Sequence, residues 1–359
     1  MSTSPAKRFQ WLLNWLHINT DPVVKIYHGY GDADMLLIYG HVFRRSPLPR
    51  KSYRKNMWSN TVALVRLFMA IPYPNIKLQL RWGDDVMETT TDGDGFFKFE
   101  WKSDLPPDKG WHIVRVNVVN EQHKGVYGEG KILIPHSTQY AFVSDVDDTF
   151  LVSHSSKMGK RLYVLFTKNE RTRKPFDGVV KHYRMLAKSN AGGVTNPFFY
   201  VSSSEWNLYE YLKEFCRSNE LPEGVFLLNQ LKQWKQLLAQ GQTRHTGKFM
   251  RIARLMKEFP HQKFVLLGDD TQQDPYIYMS VVESFPGQVL AVYLRHIRRS
   301  RKSEVEKLIL RMQEYGIEVC YFKHSNEAIR HSMRIGLINE AVMTEESGPL
   351  RKSTGDQGS

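Results

Sequence analysis

The pattern of hydrophobic and polar positions changes rhythm once along the chain, near residue 136. Before that point, short runs of β-formers alternate or cluster between turn signals: VVKIY (23–27), MLLIYGHVF (35–43), IKLQLRW (76–82), FFKFEW (96–101) and WHIVRVNVV (111–119). Such runs predict strands. No helical period separates them, so residues 23–135 are expected to form an all-β, sandwich-like domain. Beyond residue 136, continuous apolar runs at 140–143, 198–201, 225–228, 264–267 and 289–293 are spaced widely enough for crossover helices. Helices are predicted at 178–190, 205–219, 246–259 and 303–315, with Ser204 and Ser303 as helix starts. Strands that are apolar on both faces belong to a parallel sheet covered on both sides. The fold class is therefore α/β, with a doubly wound parallel sheet over residues 136–340 following the β domain.

The two ends read differently. Residues 7–18 place Phe9, Leu12, Leu13 and Leu16 at helical spacing beside Trp11 and Trp15, so residues 1–22 are expected to carry an amphipathic helix. It is expected to pack on its own domain, with a membrane interface as the alternative. Residues 341–359 are polar and rich in small residues and are expected to be disordered.

Local glycine signals refine the β domain. The TDGDGF stretch (91–96) reads as a tight turn in which Gly93 and Gly95 supply positive backbone angles. Calcium is excluded there, because an EF-hand loop needs an oxygen ligand where Phe96 stands. Gly29 and Gly31 form a lone pair that reads as turn glycines as readily as anything else.

The charge directs attention to anions. With 50 basic against 37 acidic residues the formal net charge is +13, which favours nucleic acid, an acidic membrane surface or a phosphorylated substrate as partner. The basic loop RRSPLPRKSYRK (44–55) is expected to be solvated, with contact to anionic lipid or nucleic acid as the alternative. Cys216 and Cys320 are far apart in apolar or amphipathic stretches, which excludes a disulfide framework and a cysteine metal site. No apolar run approaches the roughly 18 residues of a membrane-spanning helix. A cytoplasmic protein, peripheral to membranes at most, is the expectation.

The chemistry gathers at the predicted strand ends. The run YAFVSDVDDT (140–149) delivers a buried strand into Asp145, Asp147 and Asp148. In open α/β sheets the carboxyl ends of the strands are where ligands bind. The second strand runs into Ser202, Ser203 and Ser204, where a hydroxyl suits a phosphoryl oxygen. Lys248 opens the third helix and can neutralise a phosphate. The fourth strand ends in Asp269 and Asp270, followed by Asp274, a hard-oxygen cluster of the kind that magnesium prefers. Each part alone has a plain reading as a turn, a cap or a solvated lysine. Their order, all at strand ends or helix starts, does not.

Together DVDDT, the serine after FFYV, Lys248 and GDDTQQD resemble the haloacid dehalogenase superfamily. Within it, PFDGVVKHYRMLAK, FYVSSSEWNLYEYL and FPHQKFVLLGDDTQQDPYIY make residues 139–297 similar to the magnesium-dependent phosphatidate phosphatases of the actin-patch-protein type. The β domain, opening KIYHGYGDADMLLIYGHVFR, is similar to that of bacterial members. The chain departs from the family pattern where Ser203 and Glu205 replace an asparagine and a proline. The resemblance implies a haloacid dehalogenase-like Rossmannoid domain that hydrolyses phosphatidate to diacylglycerol and phosphate. It also implies the roles. Asp145 is the nucleophile, Asp147 the general acid and base, and Thr149 a brace for the loop. Ser202, Ser204 and Lys248 bind the phosphoryl group. Asp145, Asp147, Asp269 and Asp270 are the candidates for holding Mg2+, and Asp274 for orienting Lys248. Residues 151–177, rich in cations that include Lys160 and Arg161, are expected to form a substrate-capturing flap. A phosphatase for a soluble or nucleic-acid phosphomonoester would use the same residues. A non-catalytic anionic-lipid-binding or scaffold protein is the third reading, disfavoured by so many like charges held together. The oligomeric state is left open.

Overall fold

The structure is a computed structural model that describes residues 18–19, 22–32, 34–47, 71–104, 107–120, 123, 125–136, 140–146, 178–189, 194–229, 244–271 and 273–347. Asp147, Thr149 and the whole expected flap with Lys160 and Arg161 lie outside the described residues, as do residues 1–17 of the expected N-terminal helix, most of the 44–55 loop and residues 348–359.

The C-terminal half is a six-stranded, all-parallel sheet of β10 (Tyr140–Asp145), β11 (Phe198–Glu205), β12 (Gly224–Asn229), β13 (Lys263–Asp269), β14 (Val289–Arg295) and β15 (Glu318–Phe322), in the spatial order β12-β11-β10-β13-β14-β15. Side chains alternate across it. Phe142, Phe198, Tyr200, Val265, Leu267 and Tyr293 face one apolar layer, which also takes in α1 (Val179–Lys188), α2 (Tyr209–Ser218), α6 (Ser325–Arg334) and α7 (Glu340–Ser347). Ala141, Val143, Phe199, Phe264 and Leu266 face the other, with α3 (Arg244–Glu258), α4 (Asp274–Ser284) and α5 (Lys302–Glu314). Helices on both faces explain why these strands read as unbroken apolar runs. The chain moves outward from β10 to β12 and then returns to β13, so the strand order reverses between β10 and β13. A crevice opens at such a point beyond the carboxyl ends of the strands.

The N-terminal half is built from β1 (Ile18–Asn19), β2 (Val23–Gly31), β3 (Leu36–Pro47), β4 (Ile71–Pro72), β5 (Lys77–Trp82), β6 (Asp85–Thr90), β7 (Phe96–Trp101), β8 (Gly110–Val118) and β9 (Tyr127–Ile134). A sandwich of two sheets was the expectation. Hydrogen bonding instead links all nine strands into one curled, mixed sheet, because β3 is long enough to pair with β1, β2, β4 and β7. Its buried core includes Ile38, Leu78, Leu80, Phe97, Val116 and Ile132.

Glycines explain two departures from the sequence reading. Gly29 and Gly31 are in no turn. They lie in β2 where a Cβ would fall 2.1 Å from the carbonyl oxygens of Leu37 and Met35, and the β2–β3 register slips between Tyr27 and Tyr30. Gly128 and Gly130 break the apolar pattern of β9 because a Cβ there would meet Val24 O at 2.4 Å and Ile26 Cγ2 at 2.3 Å. The 91–96 turn forms as expected, with Asp92 Oδ1 accepting from Asp94 N and Phe96 N, but Gly95 alone takes a positive φ of 72°. Other corrections are local. Ile18 is in a strand, neither Ser204 nor Ser303 caps a helix, and residues 340–347 are helical with Val342 buried. No helix among the described residues is long and apolar enough to cross a membrane.

The two sheets share a core. Tyr27 of β2 stacks on Trp206 with ring centroids 4.3 Å apart, Tyr30 meets Phe199 edge-on, and the His28 amide donates to Tyr209 Oη at 2.9 Å. Trp206 and Tyr209 follow directly on β11, so the β domain packs behind the strand that carries Ser202.

Candidate active site

The local sequence of each strand end determines what is delivered to the crevice. β10 buries Ala141 to Val143 and ends on Asp145, which is 2% exposed. Ser144, fully buried, hydrogen-bonds Tyr183 Oη of α1 at 3.0 Å, and Val146 N donates to Val201 O, so the strand tip is braced from two sides. β13 ends on Asp269, fully buried, whose Oδ1 accepts from Thr271 N at 2.7 Å and Thr271 Oγ1 at 2.6 Å. α3 and α4 both start at this carboxyl edge, and they supply Lys248, one turn into α3, and Asp274, the first residue of α4.

These groups converge. Lys248 Nζ lies 2.7 Å from Asp145 Oδ2 and 3.2 Å from Asp274 Oδ1, with all three side chains buried. Gly268 makes room for the arrangement, since a Cβ there would fall 2.7 Å from Asp274 Oδ2. Burial raises the pKa of Asp274; Asp269 adds to the rise and Lys248 opposes it. Lys248 thus sits between two buried carboxylates, Asp145 and Asp274, while the third, Asp269, feels the charge of Arg295. Buried charges held this way depend on their partners.

Ser202 is also fully buried at this edge, its Oγ accepting from Ser204 N at 2.9 Å. Arg251, one turn beyond Lys248, donates to the Ser202 carbonyl at 3.2 Å. Sequence reasoning passed over Arg251, although its i+3 spacing from Lys248 sets both on one helix face. It also passed over Tyr183 and gave no site role to Arg295, which lies level with Asp269 in the sheet register.

Asp270 is turned to other work. Its Oδ1 accepts from Ile297 N at 2.8 Å and Arg298 N at 2.9 Å, and its Oδ2 lies 2.7 Å from Tyr321 Oη and 2.8 Å from His296 Nδ1. Burial would raise its pKa, but these hydrogen bonds outweigh burial and hold it low. The carboxylate tethers the loop after β14. Among the described residues no three His, Cys, Asp or Glu side chains gather closely enough to hold a metal ion by themselves. Magnesium does not require that, because it keeps several waters and takes one or two carboxylates. Asp145 and Asp269 at neighbouring strand tips provide such a pair.

Residues 140–296 match the family model described as phosphatidate phosphatase APP1, catalytic domain. The match makes this segment similar to that family. It contains every converging residue described above. Phosphatidate phosphatase APP1 of Saccharomyces cerevisiae is 30% identical over 156 residues, which is 43% of this chain and 25% of that protein. An uncharacterized protein of Schizosaccharomyces pombe is 24% identical over 163 residues, 44% of this chain and 25% of its own length. The matches span a quarter of the length of these curated relatives. Among solved structures, a carbohydrate acetylesterase from Xanthomonas citri is similar at 9% identity and a TM-score of 0.34, covering 88% of this chain and 74% of its own. A likeness of that size carries no argument about function.

Proposed function

We propose that the chain hydrolyses a phosphomonoester at the Asp145 cluster, with phosphatidate as substrate and diacylglycerol and phosphate as products. The observation that carries this reading is the buried contact of Lys248 with Asp145 and Asp274 at the point where the strand order reverses, inside the segment that matches the phosphatase family.

In the first step an Asp145 carboxylate oxygen bonds to phosphorus as the bond from phosphorus to the glycerol oxygen breaks, leaving an aspartyl-phosphate. Asp147, protonated at the outset, gives its proton to the departing alkoxide. In the second step water attacks the phosphorus of the aspartyl-phosphate and yields its proton to Asp147, releasing phosphate and restoring Asp145. Phosphoryl transfer spreads negative charge over the equatorial oxygens, so fixed donors dominate the catalysis. Lys248, positioned by Asp274, supplies the charge, and the Ser202 hydroxyl supplies a hydrogen bond. Ser204, Lys160 and Arg161 are proposed substrate contacts, and Thr149 a loop brace. The donor set fits a magnesium ion held by Asp145, Asp269 and the Asp147 carbonyl; when bound it would offset the repulsion between nucleophile and phosphate.

The test is phosphate release by the full chain in the presence of magnesium, from phosphatidate in mixed micelles and from a panel of soluble phosphate esters. Asp145→Asn is expected to lower the rate by roughly 10³-fold or more, and a chelator to abolish it. Release from soluble esters but not from phosphatidate keeps the chemistry and replaces the substrate. No release from any ester overturns the reading.

A further inference from the structure

The loop after β14 is an exposed, strongly basic segment with no part in the steps above. It reads HIRRSRK from His296 to Lys302. Its backbone is fixed: the buried Asp270 carboxylate takes the Ile297 and Arg298 amides, the His296 amide donates to Phe322 O at 2.7 Å, and Arg301 Nη1 returns to the Asp270 carbonyl at 3.1 Å. Asp270 itself follows Asp269 directly, so the loop is held at the carboxyl edge where the candidate site lies. The neighbouring strand β15 ends at the same edge and adds Lys323.

The chemistry of the outward side chains is uniform. Arg298, Arg299, Lys302 and Lys323 are exposed, and Ile297 stands 41% exposed among them. The acidic neighbours already have partners, two of them cations of the loop itself. Glu304 pairs with Arg301, Glu306 lies 3.5 Å from Lys302, and Glu327 accepts the His324 amide at the start of α6. Among the described residues, Arg298, Arg299 and Lys323 enter no ion pair. A row of outward cations around one exposed aliphatic side chain suits the headgroup layer of an anionic bilayer, with isoleucine entering the acyl boundary. A single-stranded nucleic-acid surface would need an aromatic side chain on which bases stack, and this loop exposes none.

We infer that the 297–302 loop and Lys323 form a docking surface for an anionic lipid bilayer, and that Asp270 holds it so that the carboxyl edge of the parallel sheet faces the membrane. The inference deepens the lipid-phosphatase reading and rests on it for the choice of partner. Substrate would then reach Asp145 from the surface on which the protein stands.

The test is co-sedimentation of the full chain with vesicles of phosphatidylcholine alone, or with about one third phosphatidylserine, a phosphodiester that a phosphomonoesterase leaves intact. Wild type is expected to bind the anionic vesicles and not the neutral ones, and to release at about 0.5 M salt. The triple variant Arg298→Gln/Arg299→Gln/Lys323→Gln is expected to bind roughly 100-fold more weakly, about fivefold for each cation removed. Ile297→Ser is expected to weaken vesicle binding about fivefold while leaving the affinity for a short DNA duplex unchanged. Equal binding of wild type to both vesicle types, or undiminished binding by the triple variant, overturns the inference. Loss of DNA binding with vesicle binding intact overturns it in favour of nucleic acid. Phosphate release from phosphatidate micelles and from soluble esters is read in parallel: its absence from every ester would remove the phosphatase reading while the vesicle result stands, and persistence of soluble-ester release in the triple variant separates docking from chemistry.

Discussion

The two sheets treat charge in opposite ways. In the described part of the curled sheet the buried polar groups are His28, Thr91 and Ser103, and its ion pairs, such as Arg115 with Glu129, lie at the surface. The parallel sheet buries Asp145, Lys248, Asp269, Asp270 and Asp274, all at one edge. Burying charge is expensive unless every charge is paired and hydrogen-bonded. A molecule that confines this expense to one edge of one sheet has separated the part that holds shape from the part prepared for reaction.

The largest effect that would break the contrast is at Lys248. Lys248→Met leaves Asp145 and Asp274 without their shared cation and is expected to lower the unfolding free energy by about 3–5 kcal/mol, measured by urea unfolding at neutral pH. A variant as stable as wild type would mean that the cluster is compensated by something other than this lysine.

A smaller effect distinguishes the curled sheet. Burial lowers the pKa of His28 and of His41 to about 4, so both are neutral in the folded protein. The unfolded chain takes up protons below about pH 6.5, where the fold cannot, and stability falls between about pH 6.5 and about pH 4. At pH 5 each histidine is expected to cost about 2 kcal/mol relative to pH 8. Urea midpoints for His41→Gln at the two pH values should show a shallower fall than wild type; an identical fall would remove His41 from the account.

The smallest effect is the sharpest control. Arg115→Met removes an exposed pair and is expected to leave the unfolding midpoint unchanged, because surface ion pairs contribute little.

The same contrast decides what was legible in the sequence. Strands of the parallel sheet are apolar on both faces, so β10, β13 and β14 stand out as runs, and the residue types at their ends announce the crevice. Asp145, Ser202, Lys248, Asp269 and Asp274 could all be named from spacing and order, and the structure brings Lys248 against Asp145 and Asp274. What spacing could not say is which way a carboxylate turns. Asp269 and Asp270 are adjacent and chemically alike, yet Asp270 serves the backbone of a loop that is 27 residues further along the chain. In the curled sheet the edge strand β6 was missed because its DVMETT sequence carries no apolar face, and β9 because glycine at 128 and 130 is demanded by the approach of β2. Both signals depend on a neighbour distant in sequence.

The family match begins at Tyr140, yet the unit it delimits does not end in a finished surface there. Trp206, Tyr209 and Phe199 are covered by Tyr27, His28 and Tyr30, which come from the other sheet. A cut at the rhythm change near residue 136 would leave an aromatic face wet, immediately behind the strand that carries Ser202. For anyone dissecting the chain, the natural boundary in sequence is a poor place for the knife: the segment that holds the buried charged cluster is a lodger whose back wall belongs to its neighbour.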